Sequence, residues 1–358
     1  MNLALIQFLK KQSEFTPVAE VEAALLPPPD KKSKYKAPKP KTGKIAAKAA
    51  QANDALFRDV EELIEAGYNI EFHPYLGVRL IDIPDRLLDH EILDDLNTKA
   101  IGRKLYIYDS VASTNETAWK LITSKPDLKD GAVVLAEAQT EGRGRMGNEW
   151  HSAEGAGLWM SVICKVAVPP DKLPFLTAMA SLALANMLQQ FIHLPSEIKW
   201  PNDITIRGRK AAGVLVEARS NVPDTFVMGI GLNVNQTTSD FPENLRNIAT
   251  SLRMERPGNS PLNRVRVLRP LLFYLDSVYQ LVHKKKFDKI ARAWGEFVQM
   301  GGKHVRLKHN DAEFTGIVKE LDPAKGITLK LDEDGTEKLF SAESVGNVRE
   351  VPAEPKPS

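Results

Sequence analysis

The chain has 358 residues, with 48 Lys+Arg against 46 Asp+Glu and a formal net charge of +2, a balance that argues against a dedicated nucleic-acid-binding protein. That balance is a cancellation, because residues 30–48 hold eight lysines and one aspartate, a local +7 that leaves −5 for the remainder. The single cysteine, Cys164, excludes an intramolecular disulfide framework and a multi-cysteine zinc site, and 43% hydrophobic residues over this length predict two or three domains with real cores.

Residues 3–9 and 18–26 read as two short helices separated by a turn at Glu14–Pro17. The first lysines follow the apolar residues, the reverse of a signal peptide. Residues 27–50 are rich in proline and lysine and read as an insertion that cannot bury a core. A third helix is predicted from about Ala46 to Ala66, with Leu56, Val60, Leu63 and Ile64 on one face and Gly67 as its cap. A hairpin turning at Pro74–Gly77 follows. Three helices and a hairpin are the parts of a winged helix, placed at 1–83, with 84–104 as a linker.

From Leu105 short strands alternate with helices. The strands are YIYDS, AVVLAEAQ, LWMSVICKV, EIKW, DITIR, AAGVLVEA and FVMGIGLNV. Helices are predicted at Ser113–Ile122, Pro174–Ile192, Arg264–Lys286 and Asp288–Met300. The longest apolar stretch, 175–188, is interrupted by Thr177, Ser181 and Asn186 and is too short to span a bilayer, so a soluble, cytoplasmic protein with no membrane partner is expected. Cys164 lies in the apolar stretch 158–168 and is expected to be buried. Residues 301–350 carry short strands with turn signals, the pattern of a small β-barrel. A disordered tail, 351–358, is expected to follow.

Four segments carry candidate chemistry. Gly142, Gly144 and Gly147 in QTEGRGRMGNEW (139–150) match G-x-G-x-x-G, but no helix signal follows, so a dinucleotide turn is rejected. Arg143 and Arg145, spaced by glycines, can fork around phosphate or carboxylate oxygens; taken alone, a bare GRGR is more often a solvated surface loop. Lys199 in IKWPND lies among apolar neighbours at a strand end, where it either snorkels to water or holds an anion. Asn202 and Asp203 beside it are ordinary turn residues, and Gly213 in AAGVLVEA suggests close backbone approach. Ser113, Thr114 and Asn115 precede a helix, where capping is the default role and binding a neutral polar ligand the alternative. Asn233 ends the apolar strand in GIGLNVN.

In this order and spacing, STN, QTEGRGRMGNEW, KWPND, GRKAAGVLVE and GIGLNVN resemble the biotin protein ligases over about residues 105–300. The GRGR loop and KWPND favour that family over the lipoate ligases, which share the fold. The flanking regions resemble its bifunctional bacterial form, which also acts as a repressor. The resemblance implies an α+β fold: a mixed-sheet biotin/lipoate ligase-like catalytic domain at 105–300 between an N-terminal winged-helix-like domain and a C-terminal SH3-like β-barrel at 301–350. It implies ATP-dependent activation of biotin to biotinyl-5′-adenylate and transfer to a lysine of the biotin carboxyl-carrier protein of acetyl-CoA carboxylase.

By position in the family's motifs, Ser113, Thr114, Asn115 and Gln139 match the biotin-contacting residues. Arg143, Gly144, Arg145 and Lys199 match those at the carboxylate and phosphates, with Arg143, Arg145 and Lys199 catalytic. Asn233, with Arg143 and Arg145, matches the nucleotide side, and the stretch after it to about Leu252 resembles the loop that closes there. Trp150 and Leu158 are weaker candidates for an apolar slot, and Asn202, Asp203 and Gly213 for contacts around it, with Asp203 a candidate to orient the acceptor lysine. Mg²⁺ is expected on the phosphates, with no protein side chain assigned as a metal ligand. Operator DNA and a second copy of the chain are partners the resemblance leaves open. Two features depart from the pattern. Asn148 stands where many members carry arginine, and the insertion at 27–50 replaces the tight turn that DNA-reading helix-turn-helix units use.

Overall fold

The computed structural model describes residues 2–25, 42–310, 312–342 and 344–351, in two compact units, Met1–Asp85 and Arg86–Ser358. Residues 26–41, most of the Pro/Lys-rich insertion, and the tail 352–358 lie outside the described residues.

The first unit runs α1 (Leu3–Leu9), α2 (Val18–Leu25), α3 (Thr42–Glu65), β1 (Asn69–His73) and β2 (Gly77–Asp82). Asn2 caps α1 by accepting the Leu5 N–H at 3.2 Å, and its amide donates to Asp59 Oδ2 at 2.8 Å. Leu5, Ile6, Leu9, Val21, Leu56, Val60, Leu63 and Val78 form one core. The third helix begins at Thr42, inside the stretch expected to be linker, because TGKIAAKAA is rich in the best helix former.

Thr16 and Val78 exchange two backbone hydrogen bonds of 2.9 Å, which adds a short third segment to the hairpin. Gly77, at φ 103°, permits this: a Cβ there would stand 1.9 Å from the Thr16 carbonyl oxygen. Gly77→Ala is therefore expected to destabilise this unit by more than ~1 kcal/mol. An unchanged unfolding midpoint would contradict that.

The second unit is built on a seven-stranded mixed sheet of β3 (Leu105–Val111), β4 (Ala132–Gln139), β5 (Gly157–Lys165), β6 (Ser196–Lys199), β7 (Asp203–Ile206), β8 (Arg209–Ala218) and β9 (Thr225–Asn233). The strand order is β3-β4-β5-β9-β8-β7-β6, with β3 and β4 parallel and the other pairs antiparallel. This is the expected α+β class. The helices are α4 (Asp89–Leu93), α5 (Thr114–Ser124), α6 (Pro174–Met187), α7 (Leu252–Glu255), α8 (Arg264–His283) and α9 (Phe287–Phe297). Apolar on all sides, α6 is buried against α8, α9 and the sheet. With its flanking turns it forms one helical stretch, Pro170–Ile192, long and apolar enough to cross a membrane, in contrast to the length read from sequence; 67% of its apolar window is buried inside the fold. Cys164 is buried, and burial raises its thiol pKa.

Residues 86–104, expected as linker, belong to this second unit. Ile92 and Ile101 are fully buried, and the buried Asp276 carboxylate on α8 accepts the N–H groups of Lys99, Ala100 and Ile101 at 2.8–2.9 Å. Glu137 on β4 likewise accepts the Leu87 N–H at 2.9 Å while paired with the buried Arg264 at 2.5 Å. Toward the C-terminus, β10 (His304–His309), β11 (Ala312–Asp322), β12 (Gly326–Leu331), β13 (Glu337–Phe340) and β14 (Val345–Glu350) form an antiparallel sheet ordered β13-β12-β11-β10-β14. Val305, Leu307, Val318, Ile327, Leu329 and Phe340 fill its core.

Candidate active site

One cavity on a face of the seven-stranded sheet gathers most of the residues singled out from sequence. Ser113, Thr114, Asn115, Gln139, Arg143, Gly144, Arg145, Trp150, Asn202, Asp203 and Gly213 all line it. Strand register explains how. Lys199, Asp203, Gly213, Gly231 and Trp159 stand opposite one another across β6, β7, β8, β9 and β5, and directly opposed residues share a face.

The polar end is built at the start of α5. Ser113 is the N-cap but makes no side-chain cap bond, so the default reading fails for its hydroxyl. Gln139 Oε1 accepts from the Thr114 N–H at 2.8 Å and hydroxyl at 3.1 Å, and its amide donates to Ser152 at 2.8 Å. Ser161 lies 2.8 Å from Thr114 Oγ1 and 2.6 Å from Asn115 Oδ1. The three residues Ser113, Thr114 and Asn115 are all buried. Together they form a fixed set of donors and acceptors suited to a neutral ligand that has both.

The middle is an aromatic slot, and Gly213 has the close approach expected of it. A Cβ on Gly213 would stand 2.9 Å from the Trp150 ring, and one on Gly231 2.4 Å from Trp150 Nε1. The indole thus lies against two glycines of adjacent strands. Its N–H, buried in the cavity, has no hydrogen-bond partner among the described residues. Gly229 makes the same allowance for Asn115, whose Oδ1 a Cβ would meet at 2.4 Å.

The charged end comes from the Gly/Arg loop, which is a small hairpin rather than a dinucleotide turn. The backbone N–H of Trp150 donates to the Gly142 carbonyl at 2.9 Å and that of Gly144 to the Asn148 carbonyl at 2.7 Å, and Met146 and Gly147 turn with φ of 56° and 76°. Asn148 closes the turn by donating to the Arg145 carbonyl at 2.8 Å. Arg143 is exposed and pairs with Glu116 at 2.9 Å. Arg145 is half-buried and donates to the Ala342 carbonyl at 2.5 Å and to Asn202 Oδ1 at 3.4 Å. Burial lowers the pKa of Arg145, with Asp203 opposing; a guanidinium stays cationic all the same.

Three of the candidate residues lie outside the cavity lining. Lys199 is exposed at the end of β6 and does not line the cavity, although its register keeps it on that face, one strand beyond Asp203. Asn233 is buried with its amide engaged: it donates to the Thr250 carbonyl at 2.9 Å and accepts from Gln236 at 3.0 Å. Leu158 is fully buried and absent from the lining, because it pairs with Leu232 on the face opposite Trp159 and Gly231. Sequence reading missed Lys210, whose Nζ lies 2.8 Å from Asp203 Oδ1 and 5.1 Å from the Trp150 ring centre. It also missed Gly229 and Gly231.

Behind the cavity, Glu255 holds the segment that follows Asn233. Its carboxylate, 2% exposed, meets Arg207 at 2.5 Å, Arg209 at 2.6 Å and the Thr250 hydroxyl at 2.7 Å. Burial alone would raise its pKa, but the Thr250 and arginine hydrogen bonds outweigh it and the net shift is downward. A depressed folded-state pKa gives stability that is present above the ordinary carboxylate pKa and lost as pH falls through the folded value. Glu255→Gln is expected to cost roughly 3 kcal/mol at neutral pH and less in acid. Equal losses at pH 7 and pH 3 would contradict this.

Residues 107–235 match the biotin/lipoate A/B protein ligase family. The chain is 34% identical to the bifunctional ligase/repressor BirA of Bacillus subtilis over 302 residues, 84% of this chain and 91% of that one. It is 37% identical to the biotin–[acetyl-CoA-carboxylase] ligase of Mycobacterium tuberculosis over 176 residues, 47% of this chain and 63% of that one. The biotin protein ligase from Aquifex aeolicus in complex with biotin and ATP superposes with a TM-score of 0.59 at 26% identity, over 70% of this chain and 100% of that one.

Proposed function

The chain belongs to the biotin/lipoate A/B protein ligase family, as a biotin protein ligase of the bifunctional ligase/repressor type, and from that premise we propose that the sheet cavity is where biotin and ATP react. The chain activates biotin with ATP and transfers it to an acceptor protein. The observation that carries the site assignment is one cavity lined by a neutral polar cluster, an aromatic slot and two arginines.

Each part matches a piece of the substrate. Biotin's ureido ring offers one carbonyl and two N–H groups to Ser113, Thr114, Asn115 and Gln139. The fused rings and tail lie against Trp150. Biotin's carboxylate is ionised at pH 7, having a pKa like that of a glutamate side chain, so its attack on the α-phosphate needs no general base. One carboxylate oxygen bonds to the α-phosphorus, and pyrophosphate leaves with the electrons of the broken P–O bond. The protein's task is to hold two anions together and neutralise charge that grows on the phosphate. Arg145, fixed by Asn202 and Ala342, and Arg143 supply that charge at the cavity, and Lys199 at its rim. Mg²⁺ brought with ATP would add to the neutralising charge that these side chains supply. In the second step a carrier-protein lysine, deprotonated to its neutral amine, attacks the acyl carbon; AMP leaves with the electrons of the broken C–O bond, and the nitrogen's extra proton passes to solvent. Lys199→Ala is expected to lower adenylate formation at least tenfold with folding intact, checked by pyrophosphate release; full activity would remove Lys199 from the site.

We further propose a winged-helix-like domain at 1–83, a catalytic domain at 105–300 and an SH3-like barrel at 301–350. A second activity, biotin-responsive repression, is supported by similarity to a ligase/repressor over 84% of the chain. Exposed positions on the C-terminal half of α3 include Asp54, Glu61, Glu62 and Glu65 beside Arg58, so this face is mainly acidic. Operator binding should tighten with biotin and ATP. Sequence-blind binding that vanishes steeply with salt would argue against a repressor. A homodimer is the remaining partner proposed.

A further inference from the structure

β8 is the longest strand of the seven-stranded sheet, and part of one edge is open. On one side β9 pairs with it from Ala212 to Ala218. On the other, β7 pairs only as far as Asp203, opposite Gly213. Asn202 extends that ladder by one position: its carbonyl accepts the Val214 N–H at 3.0 Å, and its side-chain amide donates to the Val214 carbonyl at 2.8 Å. Trp200 and Pro201 then turn the chain back to β6. Bonding direction alternates along an antiparallel strand. Because the Val214 N–H and carbonyl point away from β9, those of Val216 and Ala218 do too. Among the described residues no backbone group meets them on that side.

A groove runs along this edge. The consecutive residues Val214, Leu215 and Val216 line it, with Ala218 beyond, whereas an opening against one face would meet alternate residues. Its walls include Pro174, Thr177, Phe226 and Trp294. The Trp294 indole N–H is buried and has no hydrogen-bond partner among the described residues. Groove and reaction cavity share Arg145, Met146, Asn202, Val214 and Leu215, so the two meet at the Asn202 turn.

Resting on the biotin ligase reading, we propose that an extended segment of the acceptor protein adds to this edge of β8 as a strand. A free strand edge holds a peptide by main-chain bonds, and pockets beside it select alternate side chains. Val216 and Ala218 each offer an N–H and a carbonyl, along an edge that runs roughly 13 Å from Ala218 to Val214. Asn202 already fills the edge at Val214, so an added strand ends there. Its next residue stands at the mouth of the cavity, where Arg145 is held by Asn202. That places the acceptor lysine within reach of the activated acyl group. The side chains that the segment turns into the groove meet Pro174, Val216 and Phe226 and are apolar. The Trp294 indole offers one further donor to a carbonyl of the segment.

Ala218→Pro tests this at an exposed residue whose N–H points away from β9, so the sheet itself loses no ladder bond. The KM for a biotin carboxyl-carrier domain is expected to rise about tenfold or more. Adenylate formation, read by pyrophosphate release, should be unchanged. So should biotinyl transfer to hydroxylamine, a nucleophile too small to need docking. Ala218→Val, which keeps the N–H, should retain the wild-type carrier KM. In the unaltered chain supplied with biotin and ATP, hydrogen exchange at the Val216 and Ala218 amides should slow when a carrier with its acceptor lysine changed to arginine is added. An unchanged carrier KM in Ala218→Pro, equal losses with carrier and hydroxylamine, or unslowed exchange at both amides overturns the proposal. A folded wild-type chain that forms no biotinyl-adenylate would instead sink the ligase reading on which it rests.

Discussion

Arg145→Ala is expected to lower the rate of biotinyl-adenylate formation by roughly 10²–10³-fold, the cost of removing one preorganised donor from a site where charge develops. The side chain is well placed for that role. It is half-buried, and its guanidinium is held at one end by Asn202 in the KWPND turn and at the other by the Ala342 carbonyl beside β13. These bonds use only part of its five N–H donors, leaving others for substrate oxygens. Because the truncation also strips a partner from the Ala342 carbonyl, thermal unfolding must be followed in parallel. The loss should appear in single-turnover pyrophosphate release with only a modest change in melting temperature. Near-normal release would place the phosphate elsewhere.

Gly231→Val should abolish tight biotin binding by a different route. No charge or hydrogen-bonding group is removed. Even a single Cβ would come within 2.4 Å of Trp150 Nε1 and Cε2, so the indole must leave the floor formed by Gly213 and Gly231. Losing the aromatic wall over the ligand costs roughly 3 kcal/mol of apolar contact, about a hundredfold in affinity. Gly295→Ala in α9, where a Cβ would meet nothing within 4 Å, serves as the control and should bind biotin normally. If Gly231→Val binds biotin as tightly as the control, the slot is not where the ligand lies.

Much of this site was legible in the sequence because its parts are short and locally determined. The STN turn, the Gly/Arg loop and KWPND each keep their residues within a few positions, and the cavity brings all three together. What was not legible depends on pairing. Lys210 faces the cavity only because one extra residue, Ala211, shifts the β7–β8 register, and period-2 reading places it on the other face. Leu158 failed for the same physical reason, one pleat deciding between slot and core. The linker assigned to 84–104 is anchored by Asp276 and Glu137, which lie far along the chain and leave no local pattern. Asn233 ends its strand as read, yet tertiary bonds to Thr250 and Gln236 turn it into a tie for the following segment.

The central claim is tested most directly by incubating the folded protein with ATP, Mg²⁺, labelled biotin and a biotin carboxyl-carrier domain, beside a parallel reaction with labelled lipoate. Covalent label on a lysine of the carrier from biotin alone, dependent on ATP, is the expected result. No transfer from biotin, or transfer from lipoate instead, would contradict it.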